Sequence, residues 1–554
     1  MGGALLTLDT NNKLTLIPLG GVGERGKNML LLETERDIIA IDCGYMIPEE
    51  ELLGIDLVIP DISYLLDNQE KVRGIILTHG HEGHIGALPY LLKQISVPVI
   101  ATPMTAGMAQ VNLRAAGLKG ADLRSVDPGE QVSLGGFKVE LVTVSHTLPG
   151  AAAVVVSTPC GRVVHTGDFH FDQTPPNGHF TDIHRLAELG RQGVFLLLSD
   201  SSNAEVAGYS PSEQETGTAI RNILQAAKGR VIMVGYGASL YRLQQVINTA
   251  AAFGRRTYIS WPDGRALLDL ASEVGHLSFA ASALFDPKAD ELPPHEQVIV
   301  VSGFDSLENT GTASYGSKPV VSVQASDTVV LVAPPGPGSE KTIARHIDNL
   351  FKAGADVYPE LTSWRHPFGH ACREELKLML NLIQPQFFVP IHGDYRQLVW
   401  HARIAQQVGL PADNILVVEN GISVEFTPSK ARLAGRITAG KVLVDGLGVG
   451  DVGNIVLRDR KQLSQDGIII VVVTMNKEKG VVVAGPDIVS RGFVYVREAE
   501  GLLEEAKEKV RLALDKCQTS QWSIIKSQIR DVLGRFLFER TRRRPMILPI
   551  IMEI

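Results

Sequence analysis

The chain is short of cysteine. Its 554 residues contain four, Cys43, Cys160, Cys372 and Cys517, far apart and without paired spacing. This excludes a disulfide framework and fits free thiols in a reducing, cytoplasmic compartment. Long apolar runs are missing as well. Stretches such as Ile468–Val473 are strand-sized, far below the roughly 18 residues of a spanning helix, so no membrane segment is expected. No N-terminal stretch joins a basic start, an apolar run and a small-residue cleavage site, so secretion is not expected. Nor is there an excess of positive charge. Lys and Arg number 53 against 61 Asp and Glu, a net charge of −8, which excludes coating nucleic acid through bulk electrostatics but not a local basic groove. Fixed-period repeats and low-complexity tracts are absent. At 44% hydrophobic and 21% charged residues, the chain has apolar material for several cores, and its length suggests about three or four domains.

What is present is histidine in a dense pattern. His79-Gly80-His81-Glu82-Gly83-His84 follows directly on the apolar strand Gly74-Ile75-Ile76-Leu77-Thr78. A turn at a strand mouth can aim His79 and His81 at one metal ion and His84 at a neighbouring one. Imidazole is a good ligand for Zn²⁺ and similar ions, which lower the pKa of bound water towards neutrality. A single buried histidine is more often a hydrogen-bonded core residue. Three at this spacing point to metal.

Along the chain, residues 14–43 read as strand, Gly-rich turn and hairpin. The turn Gly21-Val22-Gly23-Glu24-Arg25-Gly26 matches the dinucleotide-binding pattern, but a hairpin follows where that pattern needs a helix, so the glycines are read as a tight turn beside a site. Residues 72–200 alternate short apolar strands with helical stretches, and residues 208–360 repeat that alternation as an inserted α/β domain. Residues 361–425 return to the first domain, 426–440 read as a linker, and 441–554 form a small C-terminal α+β domain. On its helix over 503–516, Leu503, Ala506, Val510 and Leu514 share a packing face.

Four strand-end turns carry metal-capable side chains: His79, His81 and His84; His146; Asp168 in His165-Thr166-Gly167-Asp168; and His392 in Pro390-Ile391-His392-Gly393-Asp394. Singly, His146 and His392 are ambiguous and Asp168 reads as a turn cap. Their repeated placement at strand ends argues for convergence. The series resembles the metallo-β-lactamase fold, an αββα sandwich, in its nucleic-acid-processing branch with an inserted β-CASP domain, and within that branch ribonuclease J. The resemblance runs over nearly the whole length. It includes Leu19-Gly20-Gly21-Val22-Gly23-Glu24, Thr166-Gly167-Asp168-Phe169, Leu198-Ser199-Asp200-Ser201-Ser202-Asn203 and Ile488-Val489-Ser490-Arg491-Gly492-Phe493.

By position, the resemblance implies two divalent ions, zinc or manganese. His79, His81 and His146 would hold the first, His84 and His392 the second, with Asp168 bridging. Asp200 and His370 match catalytic motifs, and Gly369, His370 and Ala371 would lie against substrate. The implied activity is metal-dependent hydrolysis of RNA, from a 5′ end or internally, in RNA processing and decay. The implied assembly is a homodimer or homotetramer, or a hetero-oligomer with a paralogue. The chain also departs from the family. Gly83 stands where a metal-binding Asp is usual, Gly150 where an Asp follows the His146 turn, Phe368 where a Ser precedes the motif histidine, and Ala238-Ser239-Leu240-Tyr241-Arg242 replaces Ser-Asn-Ile-His-Arg. These departures favour an alternative, a weakened or inactive paralogue serving as structural or RNA-binding partner of an active one. The retained ligands oppose it. The cluster Arg540, Arg542, Arg543 and Arg544 reads as an ion-paired helix end before an RNA contact.

Overall fold

The computed structural model of the chain describes residues 13–49, 51–176, 178–235, 239–261, 264–308, 321–332, 340–359, 369–476, 481–495, 499–515 and 521–554. It forms two compact units, residues 1–46 with 59–441, and residues 47–58 with 442–554. Cys517, Phe368 and Ala238, named above, lie outside the described residues. The other three cysteines form no disulfide among the described residues. No helix among the described residues is long and apolar enough to cross a membrane.

In the first unit, the apolar runs Leu14–Gly20, Met29–Glu33 and Ile38–Ile41 pair antiparallel within an eight-stranded sheet. A six-stranded sheet, built on Phe137–Thr143, Ala152–Thr158 and Gly161–His165, packs against it. One face of each contributes to a common core, Leu16, Ile41 and Ile76 from the first and Leu141, Val154 and Leu198 from the second. The alternate residues Val142, Val155, Val164 and Leu197 point the other way. They are covered by helices Ile183–Gln192 and Arg373–Ile383 through Leu186, Leu189, Leu376 and Met379, the period-2 signature of a strand buried on both faces. This is the αββα sandwich.

Inserted into it is a parallel five-stranded sheet, in the order Arg256–Ile259, Gln297–Val301, Val231–Val234, Thr328–Leu331 and Asp356–Tyr358. Helices Leu240–Ala252, Gly264–Glu273 and Glu340–Lys352 lie between its strands in sequence, as parallel connections require.

The segment read as a linker is largely a hairpin. Ile422–Thr427 pairs with Leu14–Leu16 on one side and with Lys430–Arg436 on the other. The outer strand is a sheet edge, where the exposed charges of Lys430, Arg432 and Arg436 discourage further pairing. The same charges made it look like a linker.

The second unit has a three-stranded sheet, Val482–Arg491, Ile468–Met475 and Met546–Glu553. Ile469, Val471 and Val473 alternate inward against Ala506, Val510 and Leu514 of helix Glu500–Asp515 and Ile529 and Leu533 of helix Trp522–Thr541. Arg540 pairs with Glu505 at 2.6 Å, Arg543 donates to Phe493 O at 2.7 Å, and Arg544 lies over the Phe538 ring.

Candidate metal centre

Topology brings the strand ends together. Gly161–His165, Leu196–Asp200 and Phe387–Ile391 are consecutive parallel neighbours, so their C-terminal ends and the turns leaving them stand side by side and carry Asp168, Asp200 and His392. The His79–His84 turn leaves the facing sheet. Its backbone is wedged against two other segments: Asn28 N donates to Gly83 O at 3.0 Å and Cys43 N to His84 O at 2.7 Å. The approach is so close that a Cβ on Gly44 would stand 1.6 Å from Gly83 O, so glycine is required there. The Gly21–Gly26 turn lies beside the site as expected, and Gly21 O accepts from His392 N at 2.9 Å. That bond, with Ser201 N donating to His392 O at 3.0 Å, holds His392 at φ +50, a left-handed conformation rare outside glycine.

Three ring nitrogens converge. His79 Nε2 and His146 Nε2 each lie 3.0 Å from His81 Nδ1. The opposite nitrogens are anchored, and each anchor sets the tautomer. His146 Nδ1–H donates to Gly369 O at 2.8 Å. His79 Nδ1–H donates at 3.0 Å to the Thr78 hydroxyl, which in turn donates to the Asp42 carboxylate at 2.9 Å. His81 Nε2–H faces Thr147 Oγ1 at 3.4 Å. The three lone pairs are thereby left facing one another, an arrangement suited to a shared cation and unfavourable without one. Burial, aided by the neighbouring imidazoles, holds the pKa of His79 and of His146 well below the ordinary value, so both rings are neutral, as ligation requires.

Asp168 sits between this trio and a second group. Its Oδ2 is 3.6 Å from His79 Nε2 and 3.2 Å from His84 Nε2, and its Oδ1 accepts from His392 Nδ1 at 2.5 Å. Burial works against its charge, but His392, His84 and His79 outweigh burial and keep the carboxyl well below its usual range. His84 Nδ1–H donates to Asp42 Oδ2 at 2.7 Å. Burial disfavours a charged His84, yet Asp168 and Asp42 overcome it and raise the ring to about 10. A site with that pull holds a proton unless another cation replaces it. His370 Nδ1–H donates to Asp200 Oδ2 at 2.7 Å, and Ser202 N and Oγ donate to Asp200 Oδ1 at 2.9 and 2.7 Å. His370 Nε2 is 4.0 Å from Asp168 Oδ2. Against burial, Asp200 and Asp168 raise the His370 pKa.

Donor atoms within 4.8 Å of one another thus form three groups: His79, His81 and His146; His79, His84 and Asp168; and Asp168, Asp200, His370 and His392. A buried set of imidazoles and carboxylates with anchored far sides fits divalent ions of the zinc or manganese type. Gly369, at φ +77, packs against His146, where a Cβ would come within 2.7 Å of Nδ1. The Ala371 methyl is buried in the hydrophobic core with Phe169 and Leu376, not on the site's surface.

Several supporting residues escaped the reading of the sequence. Asp42, at φ +64, takes bonds from Thr78 N, Thr78 Oγ1 and His84. Asn28 Nδ2 donates to Gly83 O at 3.0 Å and lies 3.0 Å from His84 Nε2. Glu375, fully buried, accepts from Phe171 N, Ser210 N, Ser210 Oγ and Cys372 N at 2.7–2.8 Å. The one available signal was Asp42 at the end of an apolar strand, the placement shared by the candidate ligands.

The fold and this donor set define a metallo-β-lactamase-type hydrolase with an inserted β-CASP domain. Family profiles agree segment by segment. The metallo-beta-lactamase superfamily matches residues 22–207, the ribonuclease J beta-CASP domain 228–350, the Zn-dependent metallo-hydrolase RNA specificity domain 368–417, and the ribonuclease J C-terminal domain 455–554. The chain is 41% identical over 548 residues to Ribonuclease J2 of Bacillus subtilis strain 168, covering 97% of this chain and 98% of that one. It is 37% identical over 551 residues to Ribonuclease J 2 of Staphylococcus aureus strain MRSA252, covering 98% and 99%. A crystal structure of a protein of unknown function from Enterococcus faecalis V583 shares the fold, at TM-score 0.50 and 16% identity over 75% of this chain and all of that one. The chain belongs to the ribonuclease J family.

Proposed function

We propose that this chain is a metal-dependent ribonuclease that hydrolyses RNA phosphodiester bonds, from a 5′ end, internally or both, in RNA processing and decay. One observation carries the reading: the lone pairs of His79, His81 and His146 face one another at 3.0 Å beside the buried carboxylate of Asp168. The substrate class follows from the family, whose RNA specificity domain matches residues 368–417.

We assign His79, His81 and His146 to a first ion, His84 and His392 to a second, and Asp168 to both. The imidazole-rich first set favours zinc, with manganese the alternative. A divalent ion bound there draws charge from a phosphodiester oxygen and acidifies water. The chain's own groups position and protonate. Asp168 fixes the spacing of the two donor sets. Asp200 holds His370 by its Nδ1 and raises its pKa, favouring the charged ring, whose Nε2–H can donate to a phosphate oxygen or to the leaving oxygen. Gly369 orients His146 through its carbonyl.

The proposed domains are 1–207, 208–360, 361–425 and 441–554, now with residues 47–58 joined to the last. Leu548, Ile550 and Met552 on the open face of the C-terminal sheet support assembly into dimers or tetramers, or with a paralogue. Free, buried Cys43 and Cys372 support a cytoplasmic setting.

A second reading, a weakened paralogue that partners an active ribonuclease, rests on Gly83, which offers the second ion no carboxylate. Hydrolysis of a 5′-monophosphorylated RNA tests both. Cleavage by the wild type with zinc or manganese, abolished in His146→Ala, supports the enzyme. Cleavage by Gly83→Asp alone supports the partner role, and cleavage by neither overturns the enzymatic reading.

A further inference from the structure

Residues 19–28 run between the two turns assigned to the second ion and are bonded to both. At one end Gly21 O accepts from His392 N at 2.9 Å, and Gly23 and Glu24 form backbone bridges to Asp394 and Gly393. At the other end Asn28 N and Nδ2 donate to Gly83 O, each at 3.0 Å, and Asn28 Nδ2 lies 3.0 Å from His84 Nε2. The first trio is anchored elsewhere, on the Thr78 hydroxyl, Thr147 and the Gly369 carbonyl.

Inside this segment sits a buried charge. Lys27 is 1% exposed and stands at φ +54; its Nζ lies 2.9 Å from Glu24 Oε1 and donates to Leu19 O at 3.3 Å. The same Glu24 oxygen accepts from Gly21 N at 3.3 Å and from Asn420 Nδ2 at 2.7 Å. Val22 N donates to Asn420 Oδ1 at 3.2 Å. One carboxylate oxygen thus gathers both legs of the turn and the loop ahead of strand Ile422–Thr427. The legs touch: a Cβ on Gly20 would stand 1.9 Å from Lys27 O, and one on Gly21 2.0 Å from Asn28 Oδ1. A buried ion pair adds little stability over apolar side chains of the same volume, and a left-handed backbone outside glycine is strained. What the pair supplies is geometry.

We infer that Lys27 and Glu24 are positioning residues for the second ion, their buried pair fixing the spacing of the His84 and His392 turns through the backbone of Gly21 and Asn28. The inference rests on the two-ion reading proposed above. With no carboxylate at Gly83, the site has fewer donors and depends more on preset spacing.

Calorimetric titration of the chelator-dialysed full chain with zinc tests it. The wild type is expected to take up two ions of separable affinity. Lys27→Met removes the charge, keeps an unbranched stem, and leaves the partly exposed Glu24 to its other donors. It is expected to weaken the second binding event about tenfold and to leave the first within about twofold. Asn420→Ala, in a half-buried loop, is expected to weaken the same event about threefold. Thermal melts report folding, and if Lys27→Met does not fold, Asn420→Ala decides alone. Loss confined to the second event in the deciding variant supports the inference. Equal weakening of both events, or no weakening, overturns it and leaves the two-ion reading standing. A wild type that takes up fewer than two ions overturns both.

Discussion

Gly83 is the residue at which this chain leaves its family's pattern, and the structure shows what that entails. A Cβ built there meets nothing nearer than 3.6 Å, so the backbone at this position leaves room for a side chain to start. The absence of a carboxylate is therefore a difference of charge rather than of space. Gly83→Asp is expected to raise metal content per chain, measured by elemental analysis after gel filtration, and to tighten the more weakly held ion about tenfold or more. An unchanged content would show that His84, His392 and Asp168 already suffice. Gly150 is the opposite case: at φ +77, with Met104 Cβ 2.8 Å from any added Cβ, it could not carry the family's Asp without displacing its neighbours. Asp200→Asn removes the carboxylate that raises the His370 pKa. It is expected to lower kcat about a hundredfold and to move the alkaline limb of the rate profile to lower pH. His401 titrates in the other direction. Buried, with the Ser201 hydroxyl 3.0 Å from its Nδ1, it is depressed to about 3 by burial, against a smaller opposing pull from Asp200. Between that value and about 6.5 the unfolded chain binds the proton and the folded chain does not, so stability falls as pH falls through this window. The contribution lost between pH 7 and pH 5 is about 2 kcal/mol. His401→Gln should flatten that part of the stability–pH curve in urea titrations.

Among the elements, the helix Arg373–Ile383 does more than cover a sheet. Its Glu375 side chain ties together Phe171, just after Asp168, Cys372, just after His370, and Ser210 at the approach to the inserted domain. One carboxylate with four donors fixes two candidate catalytic turns relative to each other. Glu375→Gln turns one acceptor oxygen into a donor facing donors, and is expected to cost about 3 kcal/mol in urea unfolding. Strand-level features were largely legible in the sequence. The run Phe387–Ile391 and the helix over 373–383 fall where apolar periodicity and the glutamates at 374 and 375 indicate. The hairpin over 422–436 was not legible, because an edge strand is exposed and charged and carries a linker's composition. Glu375 itself reads as an ordinary first-turn acid. Only the folded chain shows that its partners come from three distant segments.

At the level of the whole molecule, the donor set belongs to one compact unit, and residues 47–58 with 442–554 form another. A ligand that binds only the folded form stabilises the unit that binds it. Dialysis against a chelator is therefore expected to lower the melting transition of the first unit by several degrees and to leave that of the second in place, as resolved by calorimetry. A shift in both transitions, or in neither, would count against ions held only by the strand-end turns. The excursion of residues 47–58 into the second unit had no signal in the sequence. Nothing in the run from Ile47 to Val58 is strongly periodic, and its partners lie some 400 positions further on, as when Asp56 N bonds to Val444 O.

The sequence alone determined the placement of histidines and aspartates at the ends of apolar strands, because strand period and turn residues are local properties of the chain. From that pattern came the fold class and the candidate ligands. The tertiary structure decided which nitrogens of His79, His81 and His146 face inward, since each tautomer is set by a partner elsewhere: the Thr78 hydroxyl, Thr147 or the carbonyl of Gly369. It alone brought donors from three distant segments onto the carboxylate of Glu375. Burial and hydrogen-bond satisfaction depend on the packing of residues far apart in sequence, and so no local pattern encodes them.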